Sequence, residues 1–217
     1  MTEYDRIRLR NRLLAAVPWL ARLIACRNWI KAGASWHRDG WQVPVPHFVR
    51  RATLVREARA FDAKEFVETG TFKGDMTWSL MPLFGKLVTI EVQPDLARLA
   101  RQRFGRHPKV EVIEGDSLDV LAAVCGALHG PALFYLDGHD SGGITGSGKK
   151  PCPVMDELEV ILGTIKVPLR VVIDDARLFG DNPDYPSVGD LTDLAARHRP
   201  GVTCRVENDA IFLGFGA

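Results

Sequence analysis

The chain holds only four cysteines, Cys26, Cys125, Cys152 and Cys204, and no two of them form a C-x-x-C pair. Scatter of this kind argues against a zinc site or a disulfide framework and for reduced thiols. Long hydrophobic runs are also missing. The longest uncharged apolar stretch near the start, residues 13–21, contains Pro18 and ends at Arg22. That falls far short of the roughly 20 residues a membrane span needs. Arginines followed by an apolar run resemble the start of a secretory leader. Arg22 and Arg27 interrupt that run, however, and no clean small-residue cleavage site follows, so a cleaved leader is not expected. Internal repeats, low-complexity tracts and the dinucleotide fingerprint G-x-G-x-x-G are absent. So is any RNA- or DNA-binding motif, which excludes nucleic acid as the expected partner.

What is present divides unevenly. The net charge is +1, yet residues 1–60 carry 12 Lys/Arg against 4 Asp/Glu, while residues 61–217 carry 16 against 23. A basic arm precedes a mildly acidic body. Residues 3–31 read as a basic amphipathic helix or helix pair, broken or kinked at Pro18. Residues 33–47, with Trp36, Trp41, Pro44 and Pro46, read as an ordered loop or linker. Four of the five tryptophans fall within the first 41 residues, so the arm is expected to pack on something. The division expected is an arm over 1–47 and one catalytic-looking domain over 48–217. Hydrophobic content of 46% and charged content of 25% suit a soluble globular body.

From residue 48 the pattern is regular. Helices are expected over about 48–62, 75–84 with Asp75 as N-cap, 94–105, 117–128, 154–164 and 188–197. Strands are expected at 65–68, 87–91, 110–113, 132–137, 170–174, 202–206 and 210–215, the last two joined by the turn Glu207-Asn208-Asp209. Strands alternating with helices predict an α/β, doubly wound, Rossmann-like sheet. It should have seven strands, mostly parallel, with a C-terminal antiparallel hairpin.

The chemistry-bearing residues cluster where strands end. The stretch Phe66-Val67-Glu68-Thr69-Gly70-Thr71-Phe72-Lys73-Gly74 runs from an apolar strand through an acid into a glycine turn and a second glycine before a helix. Such a loop exposes backbone N–H groups to a nucleotide-like ligand at the carboxyl end of the first strand. Glu91 closes the second strand, where an acid can accept both ribose hydroxyls of a nucleoside lying over the first. The competing reading, a solvent-facing strand-end acid, is less favoured. Gly115-Asp116-Ser117 follows the third strand, and Asp116 there is also a good helix cap. Asp137 ends the fourth strand, and Asp174 and Asp175 end the fifth. Those ends are neighbours in a doubly wound sheet. Three converging carboxylates raise each other's pKa, and a hard divalent cation removes the conflict, Mg²⁺ favouring carboxylate oxygens and water. Helix capping by Asp174 and Asp175 is the plainer reading.

Val67-Glu68-Thr69-Gly70 with Lys73-Gly74, then Leu136-Asp137-Gly138, then Ile173-Asp174-Asp175, resembles the class I S-adenosylmethionine (SAM) methyltransferases, and within them the macrocin O-methyltransferase family. The resemblance covers about residues 64–177. It implies SAM as cofactor, with Glu68, Thr69, Gly70, Thr71 and Gly74 near its amino-acid part. Glu91 would lie on the ribose, and Asp116 with Ser117 at the adenine. It further implies Mg²⁺ on Asp137, Asp174 and Asp175, with Asp137 as base, and methylation of a sugar or other small-molecule hydroxyl. The glycine-rich loop after Asp137 departs from that family, so the acceptor is not carried over. Within it His139 is a candidate base or substrate-orienting group. Lys149 and Lys150 are candidates to meet an anionic group. Gly138, Gly142, Gly143, Gly146 and Gly148 permit tight turns. A metal-free methyltransferase and a non-catalytic module of the same fold are the alternatives. The arm, with Arg6, Arg8, Arg10, Arg12, Arg22 and Arg27, reads first as a lid or homodimer contact and second as a peripheral membrane contact. The expected location is the cytoplasm, with membrane periphery as the variant.

Overall fold

A computed structural model describes residues 2–137, 150, 152–180 and 182–216. The chain runs α1 (Glu3–Ala16), α2 (Pro18–Arg38), α3 (His47–Phe61), β1 (Glu65–Thr69), α4 (Asp75–Leu80), β2 (Lys86–Glu91), α5 (Pro94–Phe104) and β3 (Val110–Glu114). It continues α6 (Ser117–Gly126), β4 (Ala132–Leu136), α7 (Val154–Thr164), β5 (Leu169–Ile173), a 3-10 turn (Ala176–Leu178), α8 (Val188–His198), β6 (Thr203–Glu207) and β7 (Ala210–Gly214). The seven strands lie in the order β3-β2-β1-β4-β5-β7-β6. β7 is antiparallel to both β5 and β6, and the other pairs are parallel. The expected doubly wound sheet with its closing hairpin is therefore present.

Sequence dictates the layering. β1 and β4 are buried along their whole length, as central parallel strands covered on both faces must be. Successive side chains go to opposite faces. Val67 joins a core with Leu121, Leu158, Ile161 and Leu194 of α6, α7 and α8. Phe66 joins a second core with Leu54 of α3, Leu80 of α4 and Phe104 of α5. Pro94 fills the first turn of α5, and the Gln93 side chain accepts from Asp95 N–H at 2.7 Å. Ser187 and Asp190 form a capping box on α8. Between β1 and β4 the order of strands reverses, and the crevice outside their carboxyl ends is where such sheets take ligands.

Four local expectations are corrected. Residues 33–38 continue α2 rather than forming a loop, with Gly33 tolerated inside a helix of 21 residues. Asp75 is not the N-cap of α4. Gly74 holds that position with φ 69°, and Asp75 lies in the first turn, bound by Arg10 and Arg103. The same helix ends at Leu80 rather than near residue 84. The closing hairpin turns on two residues, not three: Asn208 and Asp209 both have positive φ, the geometry whose twist matches flanking strands. Pro18 does separate two helices as expected, standing at the first position of α2.

Candidate active site

The carboxyl ends of β1, β2 and β3 are laced together by backbone. Gly70 and Thr71 N–H donate to Ile90 O at 3.0 and 3.2 Å, and Gly115 N–H donates to Glu91 O at 2.9 Å. Gly74 N–H donates to Thr71 O at 2.7 Å, and Phe72 N–H donates to Glu91 Oε2 at 2.7 Å. Of the N–H groups this loop is expected to present to a ligand, four are turned inward instead. Gly70, Thr71, Phe72 and Gly74 spend theirs within the protein. Gly74 is glycine for two further reasons: its positive φ, and the Phe104 ring that a Cβ would meet at 2.8 Å.

Glu68 does not face open solvent. It is buried, and its Oε2 accepts from the hydroxyls of Thr77 and Thr89, the latter at 2.7 Å. Thr89 also shares a 2.6 Å hydrogen bond with Thr71. Burial pushes the Glu68 pKa up to about 7, against the pull of those two donors. Glu91 is also buried. Besides Phe72 N–H it takes Gln93 N–H on Oε1 at 2.9 Å, and burial raises its pKa. With Val92 N–H also beside it, the Glu91 carboxylate still keeps part of its acceptor capacity. Asp116 caps α6, accepting from Leu118 N–H at 2.9 Å, so the capping role anticipated for it is present. Ser117 begins that helix.

Asp137 directly follows β4, and Asp174 and Asp175 directly follow β5. The parallel register Leu136↔Ile173 places these strand ends side by side. Asp137, Asp174 and Asp175 each offer an oxygen within 4.8 Å of the others. Asp174 and Asp175 are buried. Burial first, then the neighbouring Asp175 charge, push Asp174 up to about 6 despite Arg50. Burial and the Asp174 charge push Asp137 well above the ordinary carboxylate range. Asp175 has a left-handed backbone, φ 56°, a strain that persists where surroundings impose it.

Sequence reasoning missed what surrounds this cluster. Arg50 of α3 donates from Nη1 to Asp174 Oδ2 and from Nη2 to Asp175 Oδ1, the second at 2.7 Å. The Tyr135 hydroxyl donates to Asp174 Oδ2 at 2.7 Å. Arg177 bridges Asp175 and Asp209. No local signal marks Arg50, because its partners lie 124 and 125 residues away in sequence. Glu157 was also missed, and here a signal existed. It falls on the apolar stripe of α7 between Val154, Leu158 and Ile161. It is fully buried, with a pKa pushed by burial to about 7. Thr69 Oγ1 donates to its Oε2 at 3.5 Å, Ser117 lies beside the same carboxylate, and Oε1 is buried without a partner. His139, Lys149 and Gly138, Gly142, Gly143, Gly146 and Gly148 lie outside the described residues. Lys150, a candidate for an anionic ligand, pairs with Asp156 at 2.6 Å on the surface.

The arm packs against this end of the sheet. Ile7 is buried with Leu96 and Leu99 of α5, Gln93 donates to the Tyr4 hydroxyl at 2.9 Å, and Arg10 reaches Asp75 at 3.0 Å.

The strand order and the acid-ended crevice define a Rossmann-like methyltransferase fold. No family model matches the chain. Ribosomal RNA small subunit methyltransferase A of Synechococcus sp. (strain JA-2-3B'a(2-13)) is 33% identical over 88 residues, which cover 40% of this chain and 30% of that protein. The match thus spans under a third of that relative's length. Among solved structures, the O-methyltransferase TomG from Streptomyces achromogenes, in complex with SAM, is similar with a TM-score of 0.58 at 21% identity, covering 100% of both chains. The O-methyltransferase from Bacillus cereus, in complex with S-adenosylhomocysteine (SAH), gives 0.57 at 17%, covering 84% of this chain and 87% of that one. SAH-bound methyltransferase PaMTH1 from Podospora anserina gives 0.57 at 16%, covering 86% and 88%. These likenesses establish the fold.

Proposed function

We propose that this chain is a SAM-dependent methyltransferase that methylates a hydroxyl of a sugar or other small molecule with the help of a divalent cation such as Mg²⁺. The observation that carries the reading is the convergence of Asp137, Asp174 and Asp175 oxygens within 4.8 Å beside the loop that follows β1. The donor set fits such a cation: three hard oxygen ligands, with Asp174 Oδ1 buried and lacking a partner. The cofactor fit rests on Glu91, which keeps acceptor capacity at the end of β2, and on Glu157 Oε1, a buried unpartnered acceptor between Thr69 and Ser117. The bound sulfonium cofactor supplies an electrophilic methyl group, and the cation held by Asp137, Asp174 and Asp175 supplies positive charge at the acceptor oxygen.

The chain's own residues do the rest. Glu91 orients the ribose. The loop from Glu68 through Thr69, Gly70 and Thr71 to Gly74 is braced by the internal bonds of the Gly70, Thr71, Phe72 and Gly74 N–H groups, so it offers a wall to the amino-acid part. Asp116 and Ser117 border the adenine end. Asp137 takes the proton from the acceptor hydroxyl. His139 is the alternative base. Positioning of the two reactants contributes roughly 7–11 kcal/mol in well-oriented cases. Residues 1–47 form an arm on the 48–217 domain. Leu23, Ile24 and Ile30 of α2 are exposed, and the role proposed for the arm is a lid or a contact with a second copy of the chain, with an anionic membrane as the alternative. No helix among the described residues is long and apolar enough to cross a membrane. The proposed location is the cytoplasm.

Calorimetric titration with SAM or SAH, with and without Mg²⁺, tests the reading. Cofactor binding with turnover lost to a chelator supports it. Turnover indifferent to chelator selects a metal-free enzyme, and no cofactor binding selects a non-catalytic module.

A further inference from the structure

We propose that the Arg50 guanidinium is the resident counter-ion of the Asp137, Asp174 and Asp175 cluster, and that a divalent cation enters the cluster only by displacing it. The inference rests on the metal reading above and adds a competitor to it. Arg50 does not fork onto one carboxylate. Its two Nη atoms go to different residues, Asp174 Oδ2 and Asp175 Oδ1, which spans two of the three groups a cation would bridge. One guanidinium brings a single positive charge to three carboxylates. Arg177 adds a second charge, but shares it between Asp175 and Asp209. A divalent cation brings two charges to the same oxygens.

The clamp is also incomplete. Arg50 Nε and Asp174 Oδ1 are both buried without a partner, a donor and an acceptor left unmet within one ion pair. The Asp174 side chain is 1% exposed, so bulk solvent does not reach its free oxygen. A cavity of about 10 Å³, room for about one water, is lined by Arg50, Tyr135, Asp174, Thr53 and Asn208. Asp174 thus keeps one oxygen in reserve while Arg50 holds the other. The Arg50 side chain is 19% exposed, and it projects from α3, just after the segment that ties the arm to the body. It has a path to solvent when it leaves. Because the closed clamp must open first, the apparent metal affinity is lowered by the fraction of molecules in which Arg50 is out.

The test is a Mn²⁺ titration of the full chain, followed by electron paramagnetic resonance of free Mn²⁺, on wild type, Arg50→Gln, Arg50→Lys and Asp174→Asn. Arg50→Gln is expected to bind Mn²⁺ about tenfold more tightly than wild type. Arg50→Lys, which keeps the charge and loses the fork, is expected between them. Asp174→Asn is expected to bind weakly or not at all. If wild type binds Mn²⁺ and Arg50→Gln binds no more tightly, the inference fails and the metal reading stands. If neither wild type nor any Arg50 variant binds Mn²⁺, both fail. Thermal melts accompany each titration. Should Arg50→Gln not fold, an Arg50→Lys affinity equal to wild type overturns the inference.

Discussion

Glu68→Gln changes one buried oxygen to an amide and isolates the electrostatic cost of the buried acid near the end of β1. Glu68 has an ordinary pKa of 4.5 and a folded-state pKa of about 7, raised chiefly by burial. Below pH 4.5 the carboxyl is protonated folded and unfolded, and burial carries no charge penalty. Between 4.5 and 7 the folded protein holds a proton that the unfolded chain releases, so stability falls as pH rises. Above 7 the whole penalty is present. A gap of about 2.5 units corresponds to about 3 kcal/mol. Gln retains a carbonyl that accepts the hydroxyls of Thr77 and Thr89, so the local hydrogen bonds survive and only the titration is lost. The stability difference between Glu68→Gln and wild type should therefore be nearly flat below pH 4.5, climb through pH 7, and level off about 3 kcal/mol in favour of the variant. For a chain of this size that is about 6–12 °C in melting temperature. Circular-dichroism melts and urea titrations at half-unit pH intervals measure it. Titrating groups that do not feel the Glu68 charge contribute equally to both proteins and cancel, while Glu91, Asp75 and Asp137, which do feel it, add smaller changes of their own. Parallel pH curves for the two proteins would refute the reasoning, because they would mean that Glu68 ionises in the fold as it does in water.

Three further outcomes follow from the geometry. Gly74→Ala should destabilise the fold by about 2–4 kcal/mol, from its left-handed backbone and the Phe104 ring at 2.8 Å; a loss under about 1 kcal/mol in urea unfolding would contradict this. Glu91→Ala removes the acceptor for Phe72 and Gln93 N–H and should weaken SAH binding by about tenfold or more in calorimetry, alongside about 2–4 kcal/mol of lost stability. Unchanged SAH affinity would place the ribose elsewhere. Asp174→Asn should abolish metal-dependent turnover while leaving SAH affinity within about twofold, since Asp174 follows β5 and does not lie in the loops after β1 and β2. A large loss of cofactor affinity would contradict the assignment.

The sheet was legible because its strands carry strong signals. Phe66 and Val67, Leu87 to Ile90, and Leu133 to Leu136 are apolar runs bounded by glycine or acid, and each became a buried parallel strand. Helix ends were less legible where long-range partners decide them. Asp75 has the composition of a cap, yet Arg10 from α1 and Arg103 from α5 claim its carboxylate, and Gly74 supplies the turn instead. In the site, the sequence shows which acids end which strands, because that depends on local pattern alone. It does not show that the loop N–H groups are consumed by Ile90 and Glu91, since that depends on how two strand ends meet. Arg50 is invisible for the same reason. Glu157 was within reach: an acid on an otherwise apolar helical stripe is a signal that periodicity can detect.

The charge imbalance between the first 60 residues and the rest takes on a physical meaning from these contacts. Read from composition alone, a basic arm before an acidic body suggests an external anionic partner. The described ion pairs instead turn several of those charges inward. Arg10 holds Asp75 at the start of α4, and Arg50 holds Asp174 and Asp175. Arg56 holds Glu207 at the hairpin. Glu3 answers from the arm by pairing with Lys73 of the loop itself at 3.3 Å. Exposed members of this set contribute little each. The Arg50 pair is different, because the carboxylates it neutralises are buried, and removing a partner from a buried charge is costly. Complementarity of this kind selects one placement of α3 over the β5 end of the sheet. It thereby makes the position of α3 and the charge state of the acidic cluster two aspects of one equilibrium. Anything that supplies competing positive charge at Asp174 and Asp175 must loosen α3 there, and anything that anchors α3 more firmly must oppose that charge by the same free energy.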